Sequence, residues 1–375
     1  MTNNDSKREH GVKRVNLSKE AKRLKLERDA AKTENYKALT SQLFTSRDDH
    51  QLGLSEFNET TKILLINPEF YTMWNYRREV LIELRKSIEV EQYIDMINRD
   101  LKLLMDLLKR YPKCYWIWNH RRWCLFELVE LNKVNWEYEF GVVSKLLELD
   151  ARNYHGWQYR RFVVQNIEQD SLKKKKESQS ETLILLNINA NEFNYTTTKI
   201  KKNISNFSAW HNRSKLIPKV FKYFSEVSDI PEPLQELYKT VFQSPHLILV
   251  HDLELIKTGM YMDSDDTSVW LYLYWLLTEE FFIKDLTKEV YLSILKEQLS
   301  IIEELNELEK DDHKDHWDHC WCLKSIVFVK VLIYKQSNED ALSDDIKAHL
   351  KDLIKIDPLR KAKYLDQLEG KVSII

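Results

Sequence analysis

The sequence predicts an all-α fold, a stacked array of helical hairpins. Three observations carry this: a recurring Trp-centred pattern, an apolar helical run before each early copy, and a scarcity of glycine and proline. The five copies read NPEFYTMWNYRREVL (67–81), YPKCYWIWNHRRWCL (111–125), DARNYHGWQYRRFVV (150–164), NISNFSAWHNRSKLI (203–217) and DSDDTSVWLYLYWLL (263–277). They align on Trp74, Trp118, Trp157, Trp210 and Trp270, with steps of 44, 39, 53 and 60 residues. Periods of this size belong to arrays in which each unit buries its apolar face against its neighbours, and the longer steps fit insertions in loops. Only 6 Gly and 7 Pro occur in 375 residues. Strands and tight turns draw on both, so helices joined by short loops are expected.

Each element follows from local signals. Residues 1–16 are polar and read as a flexible tail, and 17–375 as a single helical-repeat domain. A charged helix is expected from the Asn16–Ser18 cap to about Leu43. Residues 169–181, with four consecutive lysines, read as a solvated loop. Each of the first three copies follows an apolar helical run: FNETTKILLI, DLKLLMDLLKRY and YEFGVVSKLLEL. Pro68 and Pro112 then disfavour continuation, and a second helix starts near the Trp. Positions i, i+4 and i+7 share a helical face. They hold Trp74, Arg78, Leu81; Trp118, Arg122, Leu125; and Trp157, Arg161, Val164. On this reading the second Arg of each pair lies along the Trp ring, its guanidinium kept polar. A sixth hairpin is expected over 287–336 with Trp321 as a degenerate marker, and a last helix over Ser343–Lys355.

Charge is balanced, at net −2, so nothing points to nucleic acid. Four cysteines form no disulfide framework, no apolar stretch reaches 18 residues, and the amino terminus lacks a secretory pattern. The chain reads as cytoplasmic. In DDHKDHWDHCWC (311–322), His313, His316 and His319 recur every three residues, which on a helix gives a drifting stripe with Cys320 and Cys322 beyond it. The favoured reading there is a structural hairpin.

The repeat, an aromatic, then Trp, then Asn or His, then Arg-Arg, resembles that of the protein prenyltransferase alpha subunits, over roughly residues 10–370. Three segments resemble the Rab geranylgeranyltransferase (type II) branch in its compact fungal form: His10-Gly11-Val12-Lys13-Arg14, NISNFSAWHNRSKLIP (203–218) and LIKIDPLRKAKYLDQL (353–368). The resemblance implies a right-handed α–α superhelix, a crescent wrapped around a separate beta subunit. That partner would hold zinc and the lipid pocket, with no metal on this chain. It implies transfer of geranylgeranyl from geranylgeranyl diphosphate to C-terminal cysteines of Rab GTPases presented by a Rab escort protein. It also implies that Lys113, Tyr115 and His155 act at the reacting end, and that Lys113, Tyr115, Arg152, Asn153, Tyr154 and His155 hold the diphosphate. Two other readings stand beside it: the alpha subunit shared by farnesyltransferase and type I geranylgeranyltransferase, and a non-catalytic tetratricopeptide-like scaffold. The Arg pairs and the irregular period argue against the latter.

Overall fold

The protein is described by a computed structural model over residues 18–337 and 342–375. The amino-terminal tail expectation, including His10, lies outside the described residues. No strand occurs among the described residues, and the helices follow one another in antiparallel pairs. The chain groups into two units, residues 1–167 and 168–375.

In the first unit, Ser18 caps α1 (Lys19–Asp48), its Oγ accepting from the Ala21 N–H at 3.2 Å. The helix runs five residues past the expected end. Three hairpins follow: α2 (Leu54–Ile66) with α3 (Tyr71–Ser87), α4 (Val90–Arg110) with α5 (Tyr115–Glu130), and α6 (Trp136–Leu149) with α7, which starts at Tyr154. α7 continues to Lys174, so residues 169–174 are helical and not the loop expected there. In the second unit, α8 (Glu181–Lys202) pairs with α9 (Phe207–Glu226). After the short α10 (Glu232–Leu237) come α11 (Pro245–Met262), α12 (Thr267–Thr278) and α13 (Glu280–Ile283). Then α14 (Lys288–Asp312) packs on α15 (Cys320–Ser337), and α16 (Asp344–Ile356) on α17 (Lys361–Leu368).

The five tryptophans do one job five times. Each indole Nε1 donates to the carbonyl six residues earlier, pinning the turn to the helix that follows it: Trp74 to Pro68, Trp118 to Pro112, Trp157 to Ala151, Trp210 to Ile204 and Trp270 to Ser264, at 2.7–2.9 Å. All five side chains are buried. In the sixth hairpin the fourth residue of α15 is Leu323, buried at the place of the repeat Trp, while Trp321 is only half-buried.

The buried Arg is the first of each pair, not the second. Arg77, Arg121, Arg160 and Arg213 are all buried, and the fourth copy keeps this position although Ser214 replaces its second Arg. Arg77 grips Asp100 of α4, Arg121 grips Glu139 of α6, and Arg213 grips Asp252 of α11, with closest approaches of 2.5, 2.6 and 2.6 Å. The acid comes from the first helix of the next hairpin each time. A group two residues after the next Trp completes the cluster: His120 Nε2 to Asp100 at 2.9 Å, Tyr159 to Glu139 at 2.7 Å, Tyr272 to Asp252 at 2.6 Å. The same side chain takes the previous Trp ring on its face, at 4.7, 5.1 and 4.6 Å between centroids. The spare guanidinium nitrogen turns back to its own hairpin, Arg77 Nη1 to Thr60 and Arg213 Nη1 to Thr197. Phe57 and Phe193 lie under the two guanidiniums at 3.8 and 3.9 Å. Arg160 has the same habit, bonding Ser144 and lying on Phe140.

Removing one partner from such a cluster strands a charge in the core, which typically costs about 3–5 kcal/mol. Arg213→Ala should therefore lower the unfolding free energy by about that much in a urea melt, whereas Arg161→Ala, at an exposed position, should cost well under 1 kcal/mol. His120 gives a pH signature. Burial, only partly offset by Asp100, lowers its pKa from 6.5 to about 4. Arg78 Nε donates to its Nδ1 and Nε2 faces Asp100, so the ring is neutral with the proton on Nε2. Between pH 6.5 and 4 the unfolded chain binds this proton and the folded chain does not. This group's stability is therefore complete above pH 6.5 and is lost as pH falls towards 4. At 1.36 kcal/mol per unit the loss is about 3 kcal/mol. Urea melts across that range should show a shallower decline for His120→Asn than for the unaltered chain.

Candidate functional site

All six residues expected to hold the diphosphate fall in the first unit, in the two turns that lead into α5 and α7. Tyr115 and Tyr154 are the first residues of those helices, 55% and 50% exposed, and the Tyr154 hydroxyl donates to that of Tyr115 at 2.7 Å. This bond raises the Tyr154 pKa, so Tyr154 keeps its proton and the Tyr115 proton is left to donate outward. Lys113 and Arg152 are both exposed and stand at the same place in their repeats, five residues before the Trp. Glu69 has that place in the first copy.

His155 lies beneath the tyrosines. Its ring meets Tyr115 edge-on at 4.1 Å, leans on Tyr154 at 4.0 Å and stacks over Trp118 at 6.4 Å. Burial lowers its pKa, against the opposing pull of a hydrogen bond to the Lys113 backbone and of the Glu69 charge. The buried Nε2 has no partner.

Asn153 is buried and differs from its neighbours in being fully occupied. Its Oδ1 accepts from the Gly156 N–H at 3.1 Å, capping α7, and its Nδ2 donates to the Pro112 carbonyl at 3.0 Å. That carbonyl also takes the Trp118 indole. Asn153 therefore ties the turn of Tyr154 to the turn of Lys113. Cys114 holds the equivalent place one repeat earlier, its thiol 3.4 Å from the Pro68 carbonyl. Burial pushes its pKa up to about 11, so it remains a thiol. Gly156 lets α7 approach α6 closely, since a Cβ there would come within 2.9 Å of the end of the Leu147 side chain.

Sequence reasoning missed the link residues Cys114 and Asn153 in that role, though both stand four residues before a repeat Trp. It also missed Trp116, whose ring packs on Tyr71 at 5.1 Å and extends the aromatic surface.

The structural hairpin favoured for this segment is present as α14 and α15, and the histidines form no helical stripe. α14 ends at Asp312, His316 has φ of 50°, and α15 begins at Cys320, so the three histidines lie in a turn. His319 instead meets Asp265 at 3.1 Å, and His313 stacks on Trp317 at 6.2 Å. Among the described residues, Asp100, His120 and Cys124 are spaced closely enough to share a metal. They do not fit one. Arg77 bonds both Asp100 oxygens, His120 already donates to Oδ2 and accepts from Arg78, and burial holds the Cys124 thiol protonated.

Asn153→Ala should remove the α7 cap and the bond to Pro112, at a cost of about 1–2 kcal/mol. A lowered melting temperature, next to an unchanged one for the exposed Tyr154→Phe, would separate the residue that builds the site from one that faces outward.

A model of the protein prenyltransferase alpha subunit repeat matches residues 54–84, 97–128, 136–167 and 189–220, which are the α2–α3, α4–α5, α6–α7 and α8–α9 hairpins. The geranylgeranyl transferase type-2 subunit alpha of Candida albicans is 51% identical over 98% of this chain and 99% of its own length. That of Saccharomyces cerevisiae is 35% identical over 96% and 99%. Among solved structures, Candida albicans protein geranylgeranyltransferase-I complexed with GGPP matches 91% of both chains with a TM-score of 0.59 at 18% identity, a likeness of fold. No described helix is long and apolar enough to cross a membrane. With near-full-length identity to curated relatives and a repeat that falls hairpin by hairpin on their family's model, the chain belongs to the geranylgeranyl transferase type-2 alpha subunits, within the protein prenyltransferase alpha-subunit family.

Proposed function

We propose that this chain is the non-autonomous half of a heterodimer that transfers geranylgeranyl from geranylgeranyl diphosphate to C-terminal cysteines of Rab GTPases, with a Rab escort protein presenting the substrate. The observation that carries this reading is the pairing of two hydrogen-bonded tyrosines, Tyr115 and Tyr154, with exposed cations at Lys113 and Arg152, at the starts of two helices. Helix N-termini favour anions, and hydroxyl and ammonium donors around one point suit a leaving diphosphate.

In the transfer, a cysteine sulfur forms a bond to C1 of the isoprenoid while the C1–O bond to diphosphate breaks, and negative charge builds on the departing oxygens. Lys113 meets that charge as an ammonium and Tyr115 donates a hydrogen bond. His155, neutral at rest, supports the Tyr115 and Tyr154 rings from beneath and so holds the Tyr115 hydroxyl in place. Arg152 adds charge at the edge. Tyr154 orients the Tyr115 hydroxyl, and Asn153 holds the two turns together. Zinc, placed by this reading in the beta subunit, supplies a cysteine thiolate at neutral pH.

The reading is tested by assaying geranylgeranyl transfer to an escort-bound Rab with this chain alone, a candidate beta subunit alone, and the pair. Transfer by the pair only is expected, and transfer to a CaaX peptide instead would favour the subunit shared with farnesyltransferase. Lys113→Ala should lower turnover about 10²-fold or more, the usual scale for losing a donor at developing charge, with the heterodimer intact on gel filtration. Unchanged turnover would remove Lys113 from the site.

A further inference from the structure

The second unit contains a cavity of about 330 Å³ that the transfer reaction does not use. It lies among α12, α15, α16 and α17, within the size range of small-molecule clefts. Leu271, Val327, Phe328 and Leu353 form apolar walls. Tyr274 adds its ring, stacked on Phe328 at 4.1 Å, while its hydroxyl is turned away to Ser325 at 3.0 Å.

The polar part of the lining has one sign. Lys324, Arg360 and Lys363 all border the cavity, and no acid lines it. Asp357, which is not among the lining residues, is bonded by Lys324 at 2.7 Å, Arg360 at 3.1 Å and Tyr364 at 2.7 Å. Burial would raise the Asp357 pKa, but these donors outweigh it and hold the group at about 2, so it stays ionised. Three cations against one shared anion leave an excess of two positive charges. Arg360 and Lys363, three residues apart where the 3-10 turn runs into α17, face the same side. An apolar interior with a cationic rim is the complement of a molecule that is apolar at one end and anionic at the other.

We propose that this cavity binds a small anionic amphiphile, an alkyl or isoprenyl chain carrying a phosphate or carboxylate head. The chain would lie among Leu271, Val327 and Leu353, and the head would meet Arg360 and Lys363. The cavity shares no residue with the turns of Lys113 and Tyr115 and does not rest on the reading of that site.

Titration calorimetry on the full chain tests this with decyl phosphate, decanoate, 1-decanol and inorganic phosphate, each below its aggregation threshold. Saturable one-to-one binding of decyl phosphate or decanoate is expected, and which of the two is tighter tells a lipid phosphate from a fatty acid. 1-Decanol should bind about tenfold more weakly, about 1.4 kcal/mol, and inorganic phosphate should give no heat. Lys363→Ala should bring the anionic ligands close to the alcohol. Ile374→Trp, at a half-buried position on the wall, should block all of them without changing the melting temperature. Lys113→Ala should leave binding unchanged. Equal affinity for alcohol and phosphate, binding indifferent to both Lys363→Ala and Ile374→Trp, or loss of binding in Lys113→Ala would each overturn the proposal.

Discussion

The structure depends on one interaction repeated along the chain: a buried guanidinium of one hairpin gripping a carboxylate of the next. Hydrophobic packing alone would let neighbouring hairpins slide, since apolar faces tolerate many registers. A guanidinium reaches a carboxylate bidentately at one height only. Arg121 meets Glu139 with Nε at 3.0 Å and Nη2 at 2.6 Å, which fixes α5 against α6. Net stabilisation from a buried ion pair is small once desolvation is counted, because well-packed apolar groups often do as well. The pair matters because any other register leaves two charges unsatisfied. The tyrosine or histidine that completes each cluster ties the second helix of the next hairpin to the same point, and its contact with the preceding Trp makes one side chain serve both polar and apolar packing.

That register places the candidate site. Tyr115 and Tyr154 are separated by 39 residues, yet their hydroxyls meet because Trp118 packs on Tyr159 and Arg121 on Glu139 directly behind them. Asn153 adds the last constraint, joining the two turns through the Pro112 carbonyl. Within each turn neighbouring residues therefore divide the work. The residue four before the Trp, Cys114 or Asn153, points inward and binds backbone. The residue three before it, Tyr115 or Tyr154, points outward. Preorganisation of this kind is what electrostatic stabilisation of a leaving group requires, since donors that need not move lose nothing when charge appears.

Much of this was legible in the sequence, and the limits have physical reasons. Helix order, the turns before each Trp and the Trps as core all follow from periodicity and from Gly and Pro usage. The identity of the buried Arg does not. At 3.6 residues per turn, position i+3 lies about 60° to one side of the Trp and i+4 about 40° to the other, so local geometry cannot choose between them. The choice is made by the acid on the next hairpin, between 18 and 39 residues downstream of the Arg. Arg213, in a copy without an Arg pair, carried the answer. The three-residue spacing of His313, His316 and His319 carries no helical face because α14 stops before it, the chain turns at His316 and α15 starts after it, as the hairpin reading of this segment requires. The tyrosine pair was reached by resemblance residue by residue, but its hydroxyl bond is a tertiary fact.

Under the proposed reading, the charge at one repeat position separates the second and third turns from the first. All three present an aromatic at the start of a helix, Tyr71, Tyr115 and Tyr154, each about half exposed. Geometry therefore does not separate them. Five residues before the Trp, however, the first turn has Glu69 where the next two have Lys113 and Arg152. A carboxylate there opposes an anion, while Lys113 and Arg152 favour one and stand against the Glu69 charge that also reaches His155, and Tyr71 has the Trp116 ring beside it where Tyr115 has a hydroxyl. The repeat supplies the same platform several times, and a single exposed position in each copy decides which platforms can meet negative charge. That position lies outside the buried guanidinium–carboxylate clusters, so its charge differs from copy to copy while the scaffold repeats.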